Sequence, residues 1–295
     1  MNTIQVLDVS LRDGGHRSNF HFQNRDLEGI LTPLDNSGLE YIEIGYRNGS
    51  LHSIDNLGKA GLCEKDYLLF CQSLIKKAKI AVMVHPKNVT KADLAELKEC
   101  GVGLLRICIA KGETESAFPI IAMAKDIGLA TSVNFIHMSY YKESELDEVM
   151  SAITQHNPDI IYFADSNGSM LPARIEAIYS KFTELYAIPF GFHAHDNLGL
   201  AQANALTALK NGVQFIDVSL AGMGKGIGNL KTEFFAAYLH AIHVKKYGLS
   251  HILTAANYVR SNLGIGQEDI EMDEFIRGIT DLSTADLKIY KSNLA

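Results

Sequence analysis

None of the four cysteines, Cys63, Cys71, Cys100 and Cys108, stands in the C-x-x-C spacing of a redox or zinc motif. The N-terminus lacks the cationic segment and apolar stretch of a secretory signal. The four thiols are therefore expected to be reduced core residues of a cytoplasmic protein. No apolar run reaches the roughly 18 residues that a membrane span requires, so a soluble chain is expected. Positive charge is in deficit: 27 Lys and Arg against 34 Asp and Glu give a formal net charge of −7. That balance argues against nucleic acid or an anionic membrane as partner and favours small molecules. Also missing is the G-x-G-x-x-G that an open doubly wound sheet carries after its first strand. Here that position reads Arg12-Asp13-Gly14-Gly15-His16.

What the chain does contain is repetition. Eight short apolar, β-branched-rich runs occur at Gln5–Leu11, Tyr41–Gly45, Lys79–His85, Leu104–Ala110, Ala130–His137, Ile160–Asp165, Pro189–His195 and Phe215–Leu220. They recur about every 30 residues, the size of a βαβ unit. Helical periodicity fills the gaps, as in Val89–Glu99, Ser144–His156, Pro172–Tyr186 and Gly199–Asn211, with stop signals at Cys100-Gly101 and Asn211-Gly212. Eight strand-helix units predict an α/β fold, a closed (β/α)8 TIM barrel, over residues 1–248. Residues 249–295 read as a short C-terminal helical extension that caps the barrel or meets a partner.

In such barrels chemistry gathers at the C-terminal ends of the strands. His193 and His195, two apart on one strand, project to the same face, a metal-ligand arrangement. With Asp13 they make a two-imidazole, one-carboxylate set suited to Mn²⁺, Zn²⁺, Fe²⁺ or Co²⁺ and tolerable for Mg²⁺, with positions left open for substrate. Glu43 lies inside an apolar strand, where a carboxylate needs a partner. Arg12 on the neighbouring strand fits that need, as a structural ion pair or as a guanidinium aimed at an anionic oxygen. The glycine-rich segment Gly222–Asn229 follows strand eight; its backbone amides are expected to approach a ligand. Asn229 suits a fourth metal ligand or an ordinary helix N-cap. Asn134, His137, Asp165, Ser166, Asn167, Asp217 and Ser219 are expected at the same mouth. His85 or Lys87 is a candidate contact for the distal part of a substrate.

The combination Leu11-Arg12-Asp13-Gly14, Glu43, His193-Ala194-His195 and Gly226-Ile227-Gly228-Asn229 resembles the metal-dependent lyase and aldolase superfamily of barrels related to 3-hydroxy-3-methylglutaryl-CoA lyase, isopropylmalate synthase and 4-hydroxy-2-oxovalerate aldolase. Arg12-Asp13-Gly14-Gly15-His16 and Ala164-Asp165-Ser166-Asn167-Gly168-Ser169-Met170 are most similar to the 4-hydroxy-2-oxovalerate aldolase group. The resemblance implies a divalent-metal class II pyruvate aldolase, a carbon-carbon lyase acting on a 2-oxo acid and an aldehyde. It implies Asp13, His193 and His195 as metal ligands, Arg12 as enolate stabiliser and His16 as base; Asn229 is counted with the metal ligands, and Mn²⁺ is placed first among the ions. Tyr290 is a loose match to the family's proton-donating tyrosine. Homo-oligomers are common among such barrels. An aldehyde dehydrogenase partner is not expected, since the tail is shorter than the docking helices of aldolases that have one. Asp196-Asn197 after the histidines is intermediate between the aldolase and synthase patterns. A Claisen-type acyltransferase condensing acetyl-CoA with a 2-oxo acid is the alternative, and a barrel that binds without turnover is a third reading.

Overall fold

Strand and helix alternate as expected in the computed structural model, which describes residues 4–267 and 272–294. The strands are β1 (Gln5–Asp8), β2 (Tyr41–Tyr46), β3 (Lys79–Val84), β4 (Val102–Ile109), β5 (Ala130–Phe135), β6 (Ile160–Asp165), β7 (Phe190–Ala194) and β8 (Phe215–Val218). They pair in parallel in chain order, and β8 closes onto β1 with Leu7 opposite Asp217. Around them run α1 (Asn24–Asn36), α2 (Lys59–Leu62), α3 (Lys65–Leu74), α4 (Lys91–Glu99), α5 (Ala117–Asp126), α6 (Glu143–Thr154), α7 (Pro172–Leu185), α8 (Ala201–Lys210) and α9 (Thr232–Ala241). None of the described helices is long and apolar enough to cross a membrane.

Local chemistry sets these boundaries. At the start of α4 the Thr90 hydroxyl accepts from the Asp93 amide, while the Thr90 amide donates to the Asp93 carboxylate at 2.8 Å. That reciprocal cap satisfies two amides the helix cannot. Gly101 and Gly212, at φ +85° and +92°, end α4 and α8 at the expected stops. The first strand is shorter than its apolar run. The amides of Arg12 and Asp13 both turn back to the Val9 carbonyl, at 3.1 and 2.9 Å, so the ladder stops while Val9 and Leu11 stay buried.

The barrel interior is stratified by the two-residue period of its strands. The lowest inward positions are apolar and form a plug of Leu7, Val9, Tyr41, Ala81, Leu104, Ile160, Tyr162 and Phe215. One step higher come Glu43 on β2, Arg106 on β4 and Asp217 on β8, all buried. One step higher again, Cys108, Ala164, His85 and His195 line an open cavity. A separate and larger apolar core fills the space between sheet and helices, and all four cysteines are buried and free.

The tail does two things. Its first helix, α10 (Leu249–Tyr258), packs on α1 and α9. Gly29 makes that approach possible, since a Cβ there would sit 2.4 Å from the Tyr258 ring. The later helices α11 (Met272–Thr280) and α12 (Thr284–Leu294) fold back across the strand ends. Asp281 between them accepts from Asn167 Nδ2 at 2.8 Å and Ser169 Oγ at 2.5 Å. Tyr140 donates to Asp286 at 3.1 Å. Of the two roles expected for the tail, capping the barrel is visible in these contacts.

Candidate active site

Three potential ligands meet at the C-terminal ends of β1 and β7. Asp13, His193 and His195 are all buried, and one donor atom of each lies within 4.8 Å of the others. The two Nε2 atoms are 3.4 Å apart, and His195 Nε2 is 3.7 Å from Asp13 Oδ2. Such spacings suit atoms that share one ion at about 2.1 Å. His193 Nδ1 donates to Asp217 Oδ2 at 3.0 Å, which leaves the Nε2 lone pair facing the cluster. Burial pushes the His195 imidazolium down to about 3, so its ring is a neutral donor. Burial alone would raise the Asp13 carboxyl, but the charged Arg12 guanidinium beside it holds it well below the usual carboxylate range. Two imidazoles and an ionised carboxylate converging on one point form a donor set that fits a divalent cation.

Arg12 joins this cluster to the layer beneath. Its Nε donates to Glu43 Oε2 at 2.7 Å and its Nη1 to Asp13 Oδ1 at 2.9 Å. The pairing of Arg12 with Glu43 expected from sequence is thus present in the geometry. Sequence reasoning missed the third member, Arg106, which donates to Glu43 at 2.8 Å and to Asp217 at 2.7 Å and lies 4.4 Å above the Tyr162 ring. The same signal that exposed Glu43, a lone charge within an apolar strand, was available in Leu104-Leu105-Arg106-Ile107.

Asn229 is no N-cap, because α9 starts at Thr232 with Lys231 in the capping position. Its Nδ2 donates to Asp13 Oδ2 at 2.8 Å, and its buried Oδ1 has no partner. The glycines of its loop serve the loop itself. A Cβ at Gly224 would lie 2.5 Å from Asn229 Cγ, and one at Gly228 2.0 Å from the Gly222 carbonyl. The amides of Gly228 and Asn229 are used internally, on Lys225 and Gly222 carbonyls. Close packing, rather than an approach to ligand, accounts for the glycines here.

His16 stands just behind the cavity wall. Its ring lies edge-on to Phe20 at 4.8 Å and Tyr46 at 6.1 Å, and its buried Nε2 has no hydrogen-bond partner. Burial, reinforced by the charge of Lys225, pushes its pKa to about 3, below the value near working pH that suits a resting general base. The cavity, of about 170 Å³, is lined by Arg12, Asp13, His193 and His195 on its inner side, with His85, Asn134, His137 and Ser166 from other strand ends. Asp165 instead accepts from the Met170 backbone amide, and Asn167 donates to Asp281 of the tail. Lys87 lies outside the lining, bonded to the Leu51 carbonyl at 3.2 Å. Tyr290 is 40% exposed on α12 and does not line the cavity either. Lys225 and Arg277 do line it. Arg277 gave no signal in the sequence, because it reaches the mouth only through the fold-back of α11.

Fold and site together define a (β/α)8 barrel enzyme with an Asp/His/His centre suited to a divalent cation beside an enclosed cavity. A family model described as HMGL-like matches residues 3–259, and the chain belongs to that family. It is 31% identical, over 94% of its length and 82% of the relative, to a 4-hydroxy-2-oxovalerate aldolase of Geobacillus genomosp. 3. It is 34% identical to one of Moorella thermoacetica, over 80% and 70% respectively. Among solved structures, the N-terminal domain of a putative aldolase from Bacteroides vulgatus superposes with a TM-score of 0.87 at 27% identity, covering 98% of this chain and 97% of that one. A Bacillus subtilis HMG-CoA lyase, at 18% identity and TM-score 0.78 over 99% of both chains, shares the fold. These relatives bear out the carbon-carbon lyase expectation and do not favour the acyltransferase alternative.

Proposed function

We infer that this chain is a divalent-metal class II pyruvate aldolase that cleaves or forms a 4-hydroxy-2-oxo acid, with pyruvate and an aldehyde on the other side of the equilibrium. The observation that carries this reading is the convergence of Asp13, His193 and His195 beside Arg12 on one cavity wall. Held by those three residues, with Asn229 as a fourth ligand through its unpartnered Oδ1, a divalent ion would supply Lewis-acid polarisation of the keto oxygen. Mn²⁺ is the proposed ion, and the same N/O set accepts Mg²⁺, Zn²⁺ or Co²⁺.

The chain's own groups do the rest. Arg12 stabilises the negative charge that grows on the enolate oxygen as the C3–C4 bond breaks, from a cavity wall where a fixed donor is worth most. Glu43 positions Arg12 by gripping its Nε and does not touch substrate. His16 is the proposed base for the 4-hydroxyl proton through Nε2, an atom that no other group occupies, and to act it must come forward from behind the cavity wall, where its basicity is low. The products are then an aldehyde and the pyruvate enolate, which becomes pyruvate on taking a proton at C3.

The test is pyruvate release by metal-stripped protein from 4-hydroxy-2-oxopentanoate and its longer or hydroxylated homologues, with each ion added back. Metal-dependent pyruvate that disappears in both His195→Ala and His16→Ala is the expected result. Saturating metal at about 100 times Kd adds about 2.7 kcal/mol of stability, so a chelator should lower Tm in the native protein and leave it unchanged in His195→Ala. CoA release from acetyl-CoA and a 2-oxo acid, with no pyruvate under any ion, would overturn the aldolase reading.

A further inference from the structure

The cavity carries more positive charge than the chemistry just described consumes. Its described lining includes Arg12, Lys225 and Arg277 but only one carboxylate, Asp13. The inner charges balance without help from the outer ones. Arg12 and Arg106 face Glu43, Asp217 and Asp13, two guanidiniums against three carboxylates. A divalent ion at Asp13, His193 and His195 and the single carboxylate of a 2-oxo acid bring that group to neutrality.

Lys225 is left over. It projects from the β8 loop into the cavity and makes no hydrogen bond or ion pair among the described residues. Lys225 is part-buried, and desolvation together with repulsion from Arg12 and Arg277 outweighs the pull of Asp13 to lower its pKa. Arg277 enters the same cavity from α11 at 3% exposure.

A second observation comes from the opposite wall. His85, at the end of β3, is 3% exposed, lines the cavity and stacks on Tyr46 at 5.5 Å, yet its Nε2 has no partner. A neutral imidazole fixed in this way offers one hydrogen bond to whatever fills the cavity. Ser283 and the first residues of α12, Thr284 and Ala285, complete the outer wall, and a helix start of that length favours negative charge.

We propose that the outer part of this cavity is an oxyanion subsite, built from Lys225, Arg277 and His85, which holds a second acidic group on the substrate, so that the aldehyde partner of pyruvate is itself an anion bearing a carboxylate or a phosphomonoester. The proposal rests on the pyruvate aldolase reading for its placement of the first carboxylate at the metal. The subsite itself is decided separately.

Two measurements test it. Metal-stripped protein is titrated calorimetrically with inorganic phosphate and with malonate; saturable binding that weakens about tenfold or more in Lys225→Met is expected, the scale of a hydrogen bond to a charged group. His85→Phe keeps the stacked ring and should weaken the same binding. The metal-loaded enzyme is then given 4-hydroxy-2-oxo acids of matched length that end in methyl, carboxylate or phosphomonoester. An acidic end should raise kcat/KM about tenfold or more over methyl, the better of the two acids identifying the natural group, and Lys225→Met should erase that advantage. Exchange of the pyruvate methyl protons in D2O, followed by NMR, reports the inner site and should persist in Lys225→Met, with a changed rate because Lys225 acts on His16 and Asp13 through its charge. Loss of that exchange in Lys225→Met would mean that Lys225 binds the 2-oxo carboxylate, and the proposal falls. Absence of anion binding in the calorimeter also overturns it. If wild type shows no exchange, the pyruvate reading fails and the calorimetry still decides the subsite.

Discussion

Two layers of the barrel interior, two residues apart along the strands, treat charge in different ways. In the lower, Arg106 bridges Glu43 and Asp217, and each of these also holds a group of the layer above, Arg12 or His193. In the upper, Lys225 has no side-chain partner among the described residues, and His85, Asn229 and His16 each keep an unpartnered buried atom. The lower layer has open atoms as well, Glu43 Oε1, Arg106 Nε and Asp217 Oδ1, but each of its charges faces an opposite charge, which rigidifies it, whereas the upper layer leaves a whole ammonium and ring nitrogens to meet a ligand. The contrast separates the part of the interior that positions from the part that binds.

Breaking the lower layer should have the largest effect. Arg106→Leu takes one partner from each of two buried carboxylates, which keep only Arg12 and His193, and urea unfolding should show a loss of about 3–5 kcal/mol. A loss below about 1 kcal/mol would mean that the layer holds no fold together and the contrast is false. Asp217→Asn sharpens the comparison at the boundary between layers. It weakens the hydrogen bond that orients His193, and metal affinity should fall about 10- to 100-fold in a competition titration, with secondary structure by circular dichroism unchanged. The smallest effect belongs to the upper layer: Lys225→Met removes an uncompensated charge, so its urea midpoint should stay within about 0.5 kcal/mol of wild type or rise. A large destabilisation would show that the lysine serves the fold.

Periodicity made the barrel legible. Eight apolar runs map onto eight strands because a parallel sheet covered on both faces must be apolar almost throughout. The inner site was legible for a related reason: a histidine pair at alternate positions and an aspartate just past β1 are local patterns. Arg106 was readable in principle, as an isolated charge in an apolar strand, but its partners lie 63 and 111 residues away. Arg277 was not readable, because its place in the cavity depends on how the tail returns over the barrel, and no period in the chain encodes that path. His16 was found by its neighbours in sequence, whereas its position behind Phe20 and Tyr46 follows from the turn at residues 14–17.

The apolar plug at the barrel floor has a kinetic corollary. Leu7, Tyr41, Tyr162 and Phe215 seal the end opposite the strand termini, so the chamber has a single door, partly roofed by α11 and α12. Whatever sits deepest must enter first and depart last. Turnover is therefore expected to follow a compulsory order, with the two-carbon-or-longer aldehyde fragment leaving ahead of the three-carbon acid, and a dead-end analogue of the acid should block the door from within.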